Sequence, residues 1–152
     1  MDKNTIMTNI ETFLDTQGVT GELLLHGSRV DIVDGVINPN HQGVVCATNM
    51  GRVALLKAIL SNQGLIKPGL VYRMDSTPGG VFYAEVHGMH SETIGELGFV
   101  YVVPANGFYR IGDTAEFHSE VEVPITAKIV ISKKEFRHPI YDTDNDEWHL
   151  FR

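Results

Sequence analysis

One histidine lies at the end of an apolar segment of the sequence, and one glutamate lies at the start of a later segment in which polar and apolar residues alternate. The apolar run Leu23–Leu25 leads directly into His26, Gly27 and Ser28, and Glu116 opens a later alternating segment. An imidazole can donate or accept a hydrogen bond, and a glycine beside it leaves room for a ligand to approach the backbone. The residue types therefore predict a polar binding site at the end of a buried strand, with a carboxylate at the start of a strand much later in the chain.

The first half of the sequence predicts the elements that hold the histidine in place. Apolar residues recur at helical spacing before Gly18 and again before Gly64, and each glycine is a typical helix stop. The predicted order is a helix over about Asn4–Thr16, a strand ending at His26, a buried strand over Gly43–Ala47, and a helix from a cap at Thr48 or Asn49 to about Asn62. The histidine thus closes the first strand.

The second half changes to short strands separated by Gly, Pro and Asn. Pro78-Gly79-Gly80 is a turn signal that predicts a hairpin between its flanking strands. The predicted strands are Leu70–Met74, Val81–Val86, Phe99–Val103, Phe108–Ile111, Glu116–Val123 and Lys128–Ser132, and Trp148, Leu150 and Phe151 predict a last strand or clasp. Early helices followed by many strands indicate an α+β domain with mixed or antiparallel sheets.

Length and composition limit the class of protein. With 152 residues we expect a single domain over residues 1–152. The net charge of −7 disfavours a nucleic-acid partner held through phosphate contacts. The single cysteine, Cys46, excludes an internal disulfide framework and fits a reducing compartment. Neither a signal peptide nor an apolar run of membrane-spanning length is visible, so we expect a cytoplasmic protein with no membrane partner.

The order of three segments resembles the ADP-ribosyltransferase fold, in particular its poly(ADP-ribose) polymerase and diphtheria toxin branch. The segments are Leu25-His26-Gly27-Ser28-Arg29, the strand Gly43-Val44-Val45-Cys46-Ala47 followed by Asn49, Met50 and Ala54, and Glu116-Phe117. They are similar to that branch's His-Gly-Ser strand end, its Gly-Ile-Tyr-Phe-Ala-like strand before a helix, and its Glu followed by an aromatic residue. The resemblance covers about Leu23 to Ile131. It implies two packed, mostly antiparallel sheets forming an NAD cleft, with an N-terminal helix and one central helix.

The resemblance also implies an activity: transfer of ADP-ribose from NAD, the substrate, to a macromolecular or small-molecule acceptor or to water. A carboxylate stabilises the oxocarbenium-like state in which the nicotinamide–ribose bond breaks, and Glu116 would have this catalytic role. The implied NAD-binding residues are His26 at the adenosine ribose, Gly27 at the nicotinamide amide, Ser28 at the nicotinamide ribose, Arg29 and Arg52 at the phosphates, and Val45 and Ala47 in the second motif. This chemistry needs no metal.

One departure from the motif leaves a second function open. The branch usually supplies a Tyr that stacks on nicotinamide, and Val45 stands in its place without a π face. Tyr72 or Tyr83, on neighbouring predicted strands, could substitute for it. The alternative function is a catalytically degenerate member of the fold that acts as a binding or regulatory module. A third function, RNA 2′-phosphotransfer, would need more basic residues than this acidic sequence has.

Other acidic and histidine residues give competing sites. Glu120 and Glu122 share the strand parity of Glu116, so the catalytic role could pass to Glu120. The segment Glu85–Glu92 contains two histidines with flanking carboxylates but lacks the His-Glu-x-x-His spacing of helical zinc sites. Asp142–Asp146 alternates acidic residues but lacks the glycine and the closing glutamate of a calcium loop. The sequence therefore favours a site without a metal.

Overall fold

Two α-helices and eleven β-strands form the part of the protein that its computed structural model describes, residues 10–40, 42–60, 71–87 and 95–143. The helices are α1 (Ile10–Val19) and α2 (Gly51–Ile59). The strands are β1 (Leu23–Ser28), β2 (Val36–Ile37), β3 (Val45–Thr48), β4 (Val71–Ser76), β5 (Phe82–His87), β6 (Leu97–Pro104), β7 (Tyr109–Arg110), β8 (Glu116–Ser119), β9 (Val123–Pro124), β10 (Ala127–Ser132) and β11 (Ile140–Thr143). This content confirms the α+β class. Neither described helix has the length and apolar character needed to cross a membrane.

A six-stranded antiparallel sheet is the centre of the fold, with the strand order β10-β6-β1-β3-β8-β7. Its side chains alternate between two faces, and a separate hydrophobic cluster covers each face. Leu25 points to the side on which α1 and α2 pack, which we call the helix face. Leu24 and Tyr101 point to the other side, which we call the ribbon face because the two-stranded ribbon of β2 and β9 packs there through Ile37 and Val123.

A three-stranded sheet, in the order β11-β5-β4, completes the described fold. β4 and β5 form the antiparallel hairpin that Pro78-Gly79-Gly80 predicts, and β11 runs parallel to β5. Phe82 and Ala84 of β5 belong to the hydrophobic cluster on the helix face. The sheets are therefore mostly antiparallel, as expected.

Close packing of α2 on the large sheet depends on two glycines. A Cβ atom on Gly27 or on Gly98 would overlap the main-chain oxygen of Ala54 or of Ala58 in α2. Because these Cβ atoms are absent, the helix lies directly against the backbones of β1 and β6. These glycines therefore set the distance between α2 and the sheet.

One boundary of each helix differs from the prediction, namely the end of α1 and the start of α2. α1 continues past the expected stop at Gly18, which lies inside the helix. The missing Cβ of Gly18 lets the main chain of Asn49 approach, since a Cβ there would be 2.6 Å from the Asn49 main-chain oxygen. α2 begins at Gly51, since Thr48 ends β3 instead of capping the helix. The cap comes from α1, where the Asp15 carboxylate accepts a 2.6 Å hydrogen bond from the Gly51 N–H.

The predicted strand Glu116–Val123 is two strands. β8 ends at Ser119, whose hydroxyl donates to the Val121 main-chain oxygen at 3.0 Å and accepts from the Val121 N–H at 3.3 Å. The chain bends there, and β9 pairs with β2. The expected common parity of Glu116 and Glu120 is therefore wrong, because alternation holds only within a continuous strand.

Some predictions concern residues that the structure does not describe. These are the start of the helix near Asn4, the end of the helix near Asn62, the clasp of Trp148, Leu150 and Phe151, most of Glu85–Glu92, and the end of Asp142–Asp146. Within the four described ranges, no three His, Cys, Asp or Glu side chains are grouped so that they could hold a metal ion.

Candidate functional site

The imidazole of His26 is held in one tautomer by the neighbouring strand. His26 Nδ1 of β1 is 2.6 Å from the main-chain oxygen of Cys46 in β3. A carbonyl oxygen only accepts hydrogen bonds, so Nδ1 carries the proton. Burial lowers the pKa of His26 by more than this bond to Cys46 raises it, so the ring is neutral at pH 7. Nε2 is consequently left as a hydrogen-bond acceptor.

Tyr101 lies directly opposite His26, in β6, and organises the segment that follows β1. The two ring centroids are 6.2 Å apart. The Tyr101 hydroxyl donates to the main-chain oxygen of Val30 at 2.6 Å and accepts from the N–H of Ile32 at 2.7 Å. Tyr101 is fully buried, and burial raises its pKa, which keeps the hydroxyl protonated. The side chain thus ties the 30–32 segment to the ribbon face beside His26.

The other residues of the first motif have structural contacts of their own. On the helix face, α2 packs against Gly27 in the place that a Cβ would take. The space beside the Gly27 Cα on that face is therefore not free for a ligand. The Ser28 hydroxyl lies on the ribbon face and accepts a 3.0 Å hydrogen bond from the Val30 N–H. The Arg29 guanidinium lies against the backbone of Gly95, and its Nε is buried without a hydrogen-bond partner among the described residues.

Val45 and Ala47 occupy the ribbon face of β3, on the same side of the sheet as His26. Both are almost completely buried in the cluster that includes Ile37 and Val123, to which they contribute from the sheet. Tyr83, one of the two tyrosines expected to substitute for the missing aromatic ring, is buried with its ring edge-on to Tyr141 in the three-stranded sheet. The side chain of Tyr72, the other one, lies outside the described part of the structure.

Glu116 lies on the opposite face of the sheet from His26. Its partner in the β3–β8 pairing is Thr48, and Thr48 is in turn opposite Leu25, a residue of the helix face. His26 is one residue further along β1 and therefore projects to the ribbon face. The structure does not bring the predicted NAD-binding histidine and the predicted catalytic carboxylate together.

Glu116 is instead the centre of a charged group beside α2. Its carboxylate is 3.4 Å from Lys57 Nζ and 2.9 Å from His118 Nε2. Burial raises the pKa of Glu116, but the Lys57 cation and the hydrogen bonds from His118 and Lys57 outweigh this effect, so the pKa lies below its ordinary value. The side chain is 41% exposed and ionised at pH 7. Glu120, the other candidate, is exposed and accepts a 3.2 Å hydrogen bond from the Tyr109 hydroxyl.

Sequence reasoning did not single out Tyr101, Lys57 or His118. Tyr101 stands in a predicted strand, so its burial was predictable, but its register opposite His26 depends on a pairing between segments far apart in the sequence. The Lys57–Glu116 contact has the same origin, because it joins α2 to a strand on the far side of β3. No protein-family model matches this chain, and the searches of curated proteins and of solved structures likewise give no match.

Proposed function

We propose that this protein binds NAD or its ADP-ribose portion on the ribbon face, as an ADP-ribosyltransferase-like binding or regulatory module. The observation that carries the proposal is the hydrogen bond from His26 Nδ1 to the Cys46 carbonyl. It leaves Nε2 as a fixed acceptor, and ribose hydroxyl groups are donors that can use it. Because the ring is already oriented, a ligand does not have to select a tautomer or a rotamer, which lowers the entropic cost of binding.

The position of Glu116 favours a binding module over a transferase. Cleavage of the nicotinamide–ribose bond requires an anionic group close to the ribose carbon that becomes positive. The Glu116 carboxylate is ion-paired with Lys57 on the helix face, whereas His26 is on the ribbon face. Transfer of ADP-ribose by Glu116 is therefore the less supported of the two functions predicted by the sequence.

Two amide variants of His26, each of which replaces one of the two ring nitrogens, test the binding proposal. The amide nitrogen of Asn reproduces the position of Nδ1, so His26→Asn keeps a donor for Cys46 but has no group in place of Nε2. His26→Gln keeps a polar group near the Nε2 position but loses the bond to Cys46. We expect His26→Asn to weaken ADP-ribose binding by about threefold to tenfold, as for one hydrogen bond, with little change in melting temperature.

The measurement is isothermal titration calorimetry with NAD and with ADP-ribose, supported by the ligand-induced rise in melting temperature. The matched control is Glu116→Gln, which changes a polar side chain on the other face of the sheet. A wild-type protein that neither ligand stabilises at millimolar concentration would overturn the proposal.

A second experiment decides between the module and the transferase. Incubation with nicotinamide-labelled NAD, with protein extracts as acceptors, measures release of free nicotinamide. We expect no release above the rate in buffer. Release by the wild type that is lost in Glu116→Gln would establish the transferase instead, and release that survives in Glu116→Gln would assign the catalytic role to another carboxylate.

A further inference from the structure

A cavity of about 470 Å³ lies between α1 and the start of α2, on the helix side of the large sheet. Its volume is within the range of about 300–1,000 Å³ that is usual for small-molecule sites. The side chains from α1 are spaced four apart, which places them on one face of that helix. The residues that matter for its chemistry are Glu11, Asp15 and Val19 of α1 and Asn49, Met50 and Arg52 around the start of α2.

The cationic side of the cavity is Arg52. Its guanidinium carbon lies 4.0 Å from the centroid of the Phe82 ring, and its Nε is buried without a hydrogen-bond partner among the described residues. The guanidinium forms no ion pair with any carboxylate in the described ranges. An arginine held flat on an aromatic ring presents a planar fork of donors that matches a carboxylate. Since arginine is rarely buried without a partner, Arg52 has the features of a binding group for an anion.

The anionic side of the cavity is formed by two carboxylates that are fixed in place. Glu11 Oε1 is 2.6 Å from His138 Nε2, and Asp15 Oδ1 accepts a 2.6 Å hydrogen bond from the Gly51 N–H. Each carboxylate uses one oxygen in this contact, and the second oxygen accepts no hydrogen bond from the described residues. Both carboxylates therefore remain able to accept from a ligand in the cavity.

Charges of both signs thus line one cavity without pairing with each other. A simple anion at Arg52 would be repelled by Glu11 and Asp15, and a simple cation at the carboxylates would be repelled by Arg52. A molecule with an ammonium group and a carboxylate satisfies both sides. Val19 is 80% exposed and lies with Met50 on the wall of the same cavity, so an apolar side chain on the ligand would have apolar contacts.

We propose that this cavity binds a free α-amino acid with an apolar side chain. Arg52 binds its carboxylate, and Glu11 and Asp15 bind its ammonium group. The site is separate from the nucleotide site, because Phe82 under Arg52 belongs to the cluster on the helix face and His26 projects to the ribbon face. Arg52 consequently has a different role from the NAD-phosphate contact that the resemblance implies.

The first test uses leucine and two molecules that each lack one of its charges. Isocaproate is leucine without the ammonium group, and isoamylamine is leucine without the carboxylate. Calorimetry and the ligand-induced rise in melting temperature measure binding. We expect leucine to bind and each of the other two to bind at least about tenfold more weakly, as for the loss of a charge-assisted hydrogen bond. A protein that leucine does not stabilise at millimolar concentration, or that binds isocaproate or isoamylamine equally well, would overturn the proposal.

The second test compares Arg52→Gln with Arg110→Gln. Arg110 is a matched control, since its guanidinium carbon also lies over a phenylalanine ring, 5.7 Å from the centroid of Phe117. We expect Arg52→Gln to weaken leucine binding at least about tenfold and Arg110→Gln to leave it unchanged. Equal affinities in the two variants would remove Arg52 from the site and contradict the proposal.

A pair of exposed valines keeps the test independent of the packing of Arg52 on Phe82. Val19→Lys adds an ammonium group four residues after Asp15 on the same face of α1, a spacing that also favours the helix. This group competes with the ammonium of leucine, so leucine binding should weaken. Val33→Lys, at an 85% exposed valine after β1, should have no effect. Leucine affinity that is unchanged in Val19→Lys would place the ligand elsewhere.

The outcome is distinguishable from that of the proposed function. His26→Asn should leave leucine binding unchanged, and Arg52→Gln should leave NAD binding unchanged, because the two sites lie on different sides of the sheet. A loss of NAD affinity in Arg52→Gln, with no binding of leucine by the wild type, would return Arg52 to the phosphates of NAD and overturn the amino-acid site.

Discussion

The main chain of Cys46 and the side chain of His26 are joined by a 2.6 Å hydrogen bond that crosses from β3 to β1. The acceptor is a carbonyl oxygen, so the contact does not depend on the thiol. By strand alternation the Cys46 side chain points to the helix face, away from the imidazole that its carbonyl orients. The tautomer of His26 is therefore determined by the register of the sheet.

Nucleotide binding should depend on pH through His26. Protonation of Nε2 converts the acceptor into a donor and removes the expected bond from a ribose hydroxyl. Because burial places the pKa of His26 below 6.5, we expect a constant affinity for ADP-ribose between pH 7 and 8 and a decrease only below pH 6.5. Calorimetry across this range checks the prediction, and His26→Asn should lack the decrease.

The same group should make the folded state less stable in acid. The unfolded chain takes up a proton on His26 near pH 6.5, while the folded protein does so only at a lower pH. The unfolded state binds more protons between these values, so the free energy of unfolding falls as the pH decreases through this window. Urea unfolding of the wild type and of His26→Asn isolates the contribution. Equal pH slopes for the two proteins would contradict it.

Glu116→Gln should affect stability but not nucleotide affinity. The substitution removes the ion pair with Lys57 and weakens the hydrogen bond with His118, but the carboxylate is 41% exposed, so we expect a loss of at most about 1 kcal/mol at pH 7. Because the pKa of Glu116 lies below 4.5, the difference from the wild type should persist at pH 5 and disappear as the pH falls through the folded-state pKa. Denaturant titrations at several pH values measure this, and a large change in NAD affinity would contradict the placement of Glu116.

Gly27→Ala should destabilise the protein through packing. The added methyl group would overlap the Ala54 oxygen of α2, so helix and strand must separate, at a cost of about 1–3 kcal/mol. Gly79→Ala is the control, since the nearest atom to a Cβ there is Thr77 Oγ1 at 3.8 Å. Comparison of the two variants by thermal unfolding tests the prediction. Equal melting temperatures would show that α2 does not depend on this glycine.

Tyr101→Phe should release the segment that follows β1. The variant keeps the buried ring but leaves the Ile32 N–H and the Val30 oxygen without their partner, at a cost of about 1–3 kcal/mol. Hydrogen exchange of the Ile32 amide should become faster than in the wild type. Tyr109→Phe, which removes an exposed hydroxyl bonded to Glu120, should change stability by less than about 0.5 kcal/mol.

The sequence predicted both described helices and most strands, but it did not predict which residues lie on the same face of the sheet. Apolar periodicity located both described helices and most strands, because burial repeats at the period of the local structure. Whether His26 and Glu116 share a face depends on the Leu25–Thr48–Glu116 register across three strands, and register arises from tertiary pairing rather than from any one segment.

Glycine was the other source of error. Gly18 matched a helix stop and Gly27 matched an opening for a ligand, yet each accommodates a neighbouring backbone, at Asn49 and in α2 respectively. The sequence alone does not show whether a ligand or a neighbouring backbone occupies the space beside a glycine. The predicted cap of α2 was also wrong, because the carboxylate that caps α2 comes from Asp15 on another helix.

The two sides of Cys46 link the faces of the sheet. Its carbonyl orients His26 on the ribbon face, and the same residue pairs across the β3–β8 ladder with His118, which holds Glu116 on the helix face. A shift of β3 along its own axis would therefore disturb the imidazole on one side and the carboxylate on the other in a single movement. The positions of His26 and of the Glu116 carboxylate thus both depend on this one strand, although they lie on opposite faces of the sheet.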